Sequence, residues 1–248
     1  SYLKPGEGMD GALQFPLQKT ILEVLDGTRS SAHLSYRLEA EQSHFPLPQQ
    51  RVHFLDNHDM PRMSSRLDSL QIAQALMLLY SLPGIPVLYY GTESALKGSR
   101  DDYFDASRGN APYKEWIQAL SELRHREPGL KAGKVEVVMD SRMGTPAWLA
   151  WVDRRWLIAL NPSQQELYIP DSLLQAAFSL PTRRASQAML QCGVPGYWNR
   201  DTLHMKPGEG WIWAVHEKSG GDPVEKTPLP AQGLGFSAWS SLEQVLRN

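Results

Sequence analysis

At 248 residues the chain is long enough for one large domain or two ordinary ones. Its 42% hydrophobic and 21% charged content is that of a soluble globular protein, either cytoplasmic or secreted. A net charge of −2, from 25 basic and 27 acidic residues, leaves no footprint for nucleic acid and no polybasic membrane patch. No apolar run reaches the roughly 20 residues of a membrane span, and the lone Cys192 excludes a disulfide framework or a cysteine-built metal site.

The chain opens at Ser1 without a signal-peptide pattern, so it is expected to be a piece of a longer protein. Ala12 to Phe15 is a short strand candidate. Pro16 then stands where a first helical residue would, and Leu17, Ile21, Val24 and Leu25 recur at helical spacing until Gly27. A polar stretch holds a second short helix near 32–41, and a strand over 51–57 follows. The spacing predicts a helix over 67–82 with Leu70, Ala73, Met77 and Tyr80 on one face, stopped by Pro83-Gly84. Ile85 to Tyr90 is a second apolar strand. After a Gly- and Asp-rich loop comes a helix carrying Trp116, Ile117, Leu120 and Leu123, with Arg124, His125 and Arg126 suiting its negative C-terminal end.

Three strand–helix units in series are the grammar of a parallel sheet. Short strands replace them over 134–139, 145–152, 155–160, 166–169 and 203–215, as in an antiparallel β domain. The expected division is 1–132, 133–216 and a tail over 217–248 made of a Gly/Pro/Lys-rich linker and a short helix, Ser237 to Leu246.

The densest chemistry lies in residues 51–62, RVHFLDNHDMPR. An apolar strand rich in β-branched and aromatic residues stops at Asp56, Asn57, His58 and Asp59. In parallel α/β proteins the carboxyl ends of strands carry the chemistry. The same pattern also suits a polar turn in which His58 and Asp59 cap the following helix.

FLDNHD followed by MPR, then PGIPVLYYGTE, resembles the seventh and eighth barrel strands of the α-amylase family (glycoside hydrolase family 13). LQFPL is similar to the family's sixth strand entering its helix, with Gln14 where an Asp is common. YKEWIQALSELRHREPGL is similar to its last barrel helix. The resemblance, over roughly 9–215, implies the C-terminal part of a (β/α)8 TIM barrel followed by an antiparallel β-sandwich.

It also implies roles. Asp59 would be the carboxylate that stabilises an oxocarbenium-like transition state, with His58 beside it holding sugar hydroxyls and Asn57 bracing the backbone. Glu93 would lie at the rim, or be a solvated loop acid. Asp102 and Arg108 fall in a loop similar to the family's outer sugar subsites, although the usual Asn-Asp-Pro pattern is missing. The substrate implied is an α-glucan or maltooligosaccharide.

A retaining glycosidase needs a nucleophile and an acid/base carboxylate about 5 Å apart. The family's G-x-R-x-D nucleophile pattern and its catalytic Glu are not found here. The chain alone is therefore expected to be inactive and to need an N-terminal barrel half, from the same gene or a separate chain. No cofactor is implied in this chain; a structural calcium would belong to that missing half. Hydrolysis and transglycosylation share one covalent intermediate and are not separated by these residues. A non-catalytic glucan-binding module and an unrelated α/β protein remain alternatives. Trp148, Trp151, Trp156, Trp211 and Trp213 would serve as inter-sheet core or as a sugar-stacking face. Trp148 and Trp151 cannot share a strand face, whereas Trp211 and Trp213 can.

Overall fold

The computed structural model describes residues 3–4, 7–98, 111–170, 172–173, 188–193, 197–199 and 202–214. Strands β1 (Leu3–Lys4) and β2 (Glu7–Gly8) form an antiparallel pair. Three strand–helix units follow: β3 (Ala12–Leu13), α1 (Phe15–Leu25) and α2 (Ser31–His44); β4 (Arg51–His53) and α3 (Ser69–Ser81); then β5 (Ile85–Pro86), α4 (Lys114–Arg126) and the one-turn α5 (Gly129–Ala132). Strands β3, β4 and β5 make a parallel sheet in chain order, with Leu13 opposite Val52 and Val52 opposite Ile85.

The strands expected over 51–57 and 85–90 are cut to three and two residues. Val87 N still donates to His53 O at 2.7 Å, but beyond that rung the chains diverge. The Leu55 carbonyl is taken by Gln18 Nε2 of α1 at 2.8 Å, and the Tyr89 carbonyl turns back to accept from Thr92 Oγ1 at 2.7 Å.

The two faces of this sheet are unlike. On the α2 side His53 Nε2 lies 2.7 Å from Glu41 Oε1, both buried. Gly84 (φ +151°) lets the chain pass close by, because a Cβ there would sit 2.8 Å from Arg51 O and His53 Cε1. On the other side runs the row Leu13–Val52–Ile85, in which Leu13 is 49% and Ile85 44% exposed.

Helix α3 starts on a reciprocal cap that the sequence offers as Asp68-x-x-Gln71. The Asp68 carboxylate accepts from Gln71 N at 2.9 Å, and Gln71 Oε1 accepts from Asp68 N at 2.8 Å. The expectation of one apolar face is corrected: every residue from Ile72 to Leu79 is buried. The helix packs against α1, α4, α5 and the β domain together. Trp116 Nε1 donates to Ala73 O at 3.1 Å, and Gly210 leaves room for Met77, whose Cε would lie 2.4 Å from a Cβ there. Gln74 Nε2 donates to Asn161 O and Glu209 O, each at 2.9 Å.

Arg124 also departs from expectation. Rather than attending to its own helix end, it donates to the carbonyls of Tyr80, Leu82 and Leu130 at 2.7, 3.0 and 2.8 Å, and to that of Gly84. The Tyr80 and Leu82 carbonyls belong to the end of α3, which leaves its last carbonyls without helical partners, whereas that of Leu130 belongs to α5. Burial pulls its pKa down to about 10, which keeps it charged at neutral pH.

The remaining strands are β6 (Val135–Met139), β7 (Trp148–Val152), β8 (Trp156–Leu160), β9 (Leu167–Pro170), β10 (Ala188–Cys192), β11 (Tyr197–Asn199), β12 (Thr202–Met205) and β13 (Gly210–Ala214). They form two antiparallel sheets, ordered β10-β13-β8-β7-β6 and β11-β12-β9. The single strand expected over 203–215 is two strands, broken at Pro207-Gly208, where Lys206 N donates to Glu209 Oε2 at 2.7 Å. Strands β10 and β11 were not anticipated. The expected tail over 217–248 lies outside the described residues.

The larger sheet is buried on both faces, so β7 and β8 show no exposed position. Trp148, Trp156 and Ile158 join the helical core, whereas Trp151, Trp211 and Trp213 share a cluster with Leu167, Ile169 and Leu203 of the smaller sheet. Trp211 and Trp213 meet edge to face, their ring centroids 4.3 Å apart. All five tryptophans are core, not a sugar platform. The helical core continues across residues 132–133, and polar ties reinforce it. Gln42 of α2 exchanges two hydrogen bonds with the Val135 peptide, at 3.0 and 2.9 Å. Behind β6, the buried Asp140 accepts from Arg142 Nη2 at 2.6 Å and from Arg142 N at 3.0 Å. Burial opposes its charge, but the Arg142 and Ser35 side chains and the Arg142 amide outweigh it and hold the carboxyl below its usual range.

Two stability measurements follow from these contacts. Arg124→Met strands four carbonyls and is expected to cost ~3 kcal/mol or more in urea unfolding; a loss under ~1 kcal/mol contradicts the role given to Arg124. For Asp140 the folded-state pKa is depressed, so its contribution is present above the unfolded value of about 3.9 and disappears as pH falls through the folded one. Asp140→Asn is therefore expected to be less stable than the parent by about 1 kcal/mol at pH 7, the exposure of Arg142 limiting the size, with the gap closing below about pH 4.

Candidate functional site

The carboxyl end of β4 delivers the residues singled out in the sequence. Phe54, Leu55 and Asp56 are buried, and the chain then surfaces at Asn57, His58 and Asp59. Asn57 Oδ1 accepts from Asp59 N at 2.8 Å, an Asx turn that shapes the backbone beneath the other two. His58 Nε2 lies 3.2 Å from Asp59 Oδ1, and the two side chains are 54% and 73% exposed. This is an outward-facing acid and imidazole, able to accept from and donate to adjacent hydroxyls. Neither residue caps a helix, since α3 begins later at Ser69 and is capped by Asp68.

What holds this turn was not singled out in the sequence. The Asp56 carboxylate accepts from Met63 N at 3.0 Å and lies 3.8 Å from Arg62 Nη1, closing the segment between them. Burial pushes the Asp56 carboxyl up, opposed by the Met63 amide and the Arg62 charge. Arg62 is itself buried, its guanidinium carbon 4.1 Å from the Tyr89 ring centroid and 4.8 Å from that of Tyr90. Its terminal nitrogens have no hydrogen-bond acceptor among the described residues, so the charge rests on Asp56 and two ring faces. The segment behind it is fastened to the loop after β5. Arg62 N donates to Gly98 O at 3.2 Å, Gly98 N to Ser65 Oγ at 2.9 Å, and Ser64 Oγ to Leu96 O. A charged residue one step before Asn57 and another just after Pro61 were the signals available in the sequence.

Glu93 occupies the turn after β5, half-buried, with its peptide carbonyl accepting from Tyr113 N at 3.1 Å. Asp102 and Arg108 lie outside the described residues. The structure therefore brings Asn57, His58 and Asp59 together and leaves Glu93 in a separate turn. Among the described residues no group of three or more His, Cys, Asp or Glu side chains is placed to hold a metal ion. No helix among them is long and apolar enough to cross a membrane.

Solved structures share this fold over most of the chain. An Anoxybacillus α-amylase matches with a TM-score of 0.66 at 23% identity, over 87% of this chain and 49% of that one. An acarbose-soaked debranching enzyme from Nostoc punctiforme matches with a TM-score of 0.69 at 19% identity, over 86% of this chain and 48% of that one. The family model described as alpha amylase, catalytic domain, matches residues 2–147, and the chain belongs to the α-amylase family. A cyclomaltodextrin glucanotransferase of Geobacillus stearothermophilus is 36% identical over 200 residues, covering 72% of this chain and 26% of that protein. The chain thus spans about half the length of these solved structures and about a quarter of this relative.

The support given to the turn is open to a direct check. Arg62→Met leaves Asp56 buried without its cation and is expected to cost ~3 kcal/mol at pH 7. Adding Asp56→Asn is expected to recover at least half of that. Because burial raises the folded-state pKa of Asp56, the Arg62→Met deficit is expected to shrink as pH falls. Additive losses in urea unfolding would show that the two side chains do not act as a pair.

Proposed function

We propose that this chain is the C-terminal part of an α-glucan-active enzyme of the α-amylase family, its site completed by barrel units that these residues do not supply. The observation that carries this reading is the row Leu13–Val52–Ile85. Parallel sheets are covered on both faces, yet here the apolar row is open while buried Arg51 and His53 face the helices. Further strands closing on that row would bury it and turn the carboxyl end of β4 toward a shared cleft. The division at 132–133 and the pairing of the two antiparallel sheets as a C-terminal β-sandwich belong to the same proposal.

In this reading Asp59 and His58 hold two hydroxyls of the glucosyl unit at the bond being cleaved. Their hydrogen bonds strengthen as positive charge develops on the ring. Asn57 sets the turn, and Glu93, Asp102 and Arg108 are placed at the rim. Nucleophile and acid/base come from the completing units, so the chain alone does not turn over glucan. Its resemblance to a cyclomaltodextrin glucanotransferase favours transfer to a sugar acceptor as the second outcome of the same intermediate.

In the completed barrel Asp59→Asn is expected to lower maltooligosaccharide turnover by about 10²-fold or more, and survival within about tenfold removes the role given to Asp59. Turnover by the 248-residue chain alone would equally overturn the assignment of the missing carboxylates.

A further inference from the structure

Strand β4 stops short of the residues it delivers. Its ladder with β5 closes with Val87 N donating to His53 O at 2.7 Å. A parallel register advances two residues per rung, so the next carbonyl in line is that of Leu55, and its donor is not on a strand. It is the side-chain amide of Gln18 in α1, at 2.8 Å, with both residues buried. The start of α1 grips the same stretch twice more. Gln14 N donates to Val52 O at 2.9 Å, and the Phe15 ring stands edge-on to that of Phe54, their centroids 4.9 Å apart.

The Leu55 carbonyl shares its rigid peptide with the Asp56 amide, so holding the oxygen fixes the plane from which Asp56 departs. Asp56 accepts from Met63 N, and the turn between them bears His58 and Asp59. Those two side chains are largely exposed, so their placement is inherited from the backbone beneath them. We infer that Gln18 is a positioning residue for the reaction, its amide replacing a sheet hydrogen bond at the end of β4 and so setting where Asp59 and His58 meet the glucosyl unit. A strand donor at this place would keep β4 alongside β5, whereas a helix side chain draws the strand end toward α1. Gln18 acts through the peptide and not on the substrate. A misplacement of about 1 Å can cost about 10²-fold in rate, and hydrogen bonds that strengthen in the transition state are the ones that feel it. The inference rests on the role proposed above for Asp59.

Two substitutions test it. Gln18→Met keeps the length and donates nothing, while Gln18→Glu keeps the shape and donates only when protonated. In the completed barrel Gln18→Met is expected to lower kcat on maltooligosaccharide about tenfold or more, with KM within about threefold. Gln18→Glu is expected to match that loss at about pH 8 and to return to within about threefold of the parent at about pH 5, because burial favours the neutral carboxyl, whose O–H then donates to Leu55 O. Asp56, His58, Asp59 and Arg62 are common to parent and variant, so the ratio of their rates at each pH isolates position 18. A Gln18 that only stabilised the fold would leave kcat per folded molecule and that ratio unchanged, and either result overturns the inference. The 248-residue chain offers a readout that needs no turnover. Gln18→Met is expected to speed hydrogen exchange of the Met63 amide about tenfold and to leave that of the Leu82 amide, at the end of α3, unchanged. Acceleration of both amides alike, or of neither, overturns the inference and leaves the proposed function standing. Full turnover by Asp59→Asn removes the proposed function instead, and the catalytic consequence of Gln18 with it, whereas a fast Met63 amide would still assign Gln18 to holding the turn.

Discussion

Helix α3 has almost no solvent side, and the rest of the molecule is arranged to keep it that way. Its apolar residues are covered by α1 and α4 of the strand–helix units and by β10 and β13 of the β domain. A helix enclosed in this way needs its polar groups satisfied internally. The Gln74 amide nitrogen donates from within the core to the carbonyls of Asn161 and Glu209, and Arg124 collects the carbonyls at the helix's far end. Both contacts tie segments far apart in the chain. The β domain is therefore seated on the helical layer through one shared core rather than hung from it by a linker.

That seating bears on the strand ends. The turn carrying His58 and Asp59 is exposed, yet it springs from a buried base made by Asp56, Arg62 and the faces of Tyr89 and Tyr90. Arg62 belongs to the segment that leads into α3, and the tyrosines follow β5 on its other side. The two strand ends are thus braced against each other beside the central helix. A group meant to meet a substrate gains from such support, because geometry held in advance need not be ordered on binding. The same β4 strand leaves Val52 in an open apolar row while His53 pairs with Glu41 behind it. Under the proposed function, further strands would cover this row.

Much of this was legible in the residues. FLDNHD and PGIPVLYYGTE marked two successive strands and their family, and the strand–helix order of 12–126 followed from apolar spacing and from Pro and Gly. The odd and even spacings of the tryptophans correctly sorted Trp148 from Trp151 and joined Trp211 to Trp213. Strand lengths were not legible. The run from Ile85 to Tyr90 is apolar enough for six strand residues, but ladder partners exist for only two. Nor could the residues tell a one-sided helix from an enclosed one, since Leu70, Ala73, Met77 and Tyr80 satisfy the spacing of either.

The sequence by itself determined the strand–helix order of 12–126, the family and the cluster of polar groups at one strand end. Each of these is written in short-range patterns, and a pattern needs no partner to be read. Only the tertiary structure decided how many surfaces cover each element. It enclosed α3, buried Trp148, Trp151, Trp156, Trp211 and Trp213, left Leu13 and Ile85 open and turned Tyr168 outward. The physical reason is that burial belongs to a pair of surfaces, and one chain segment carries the description of only its own.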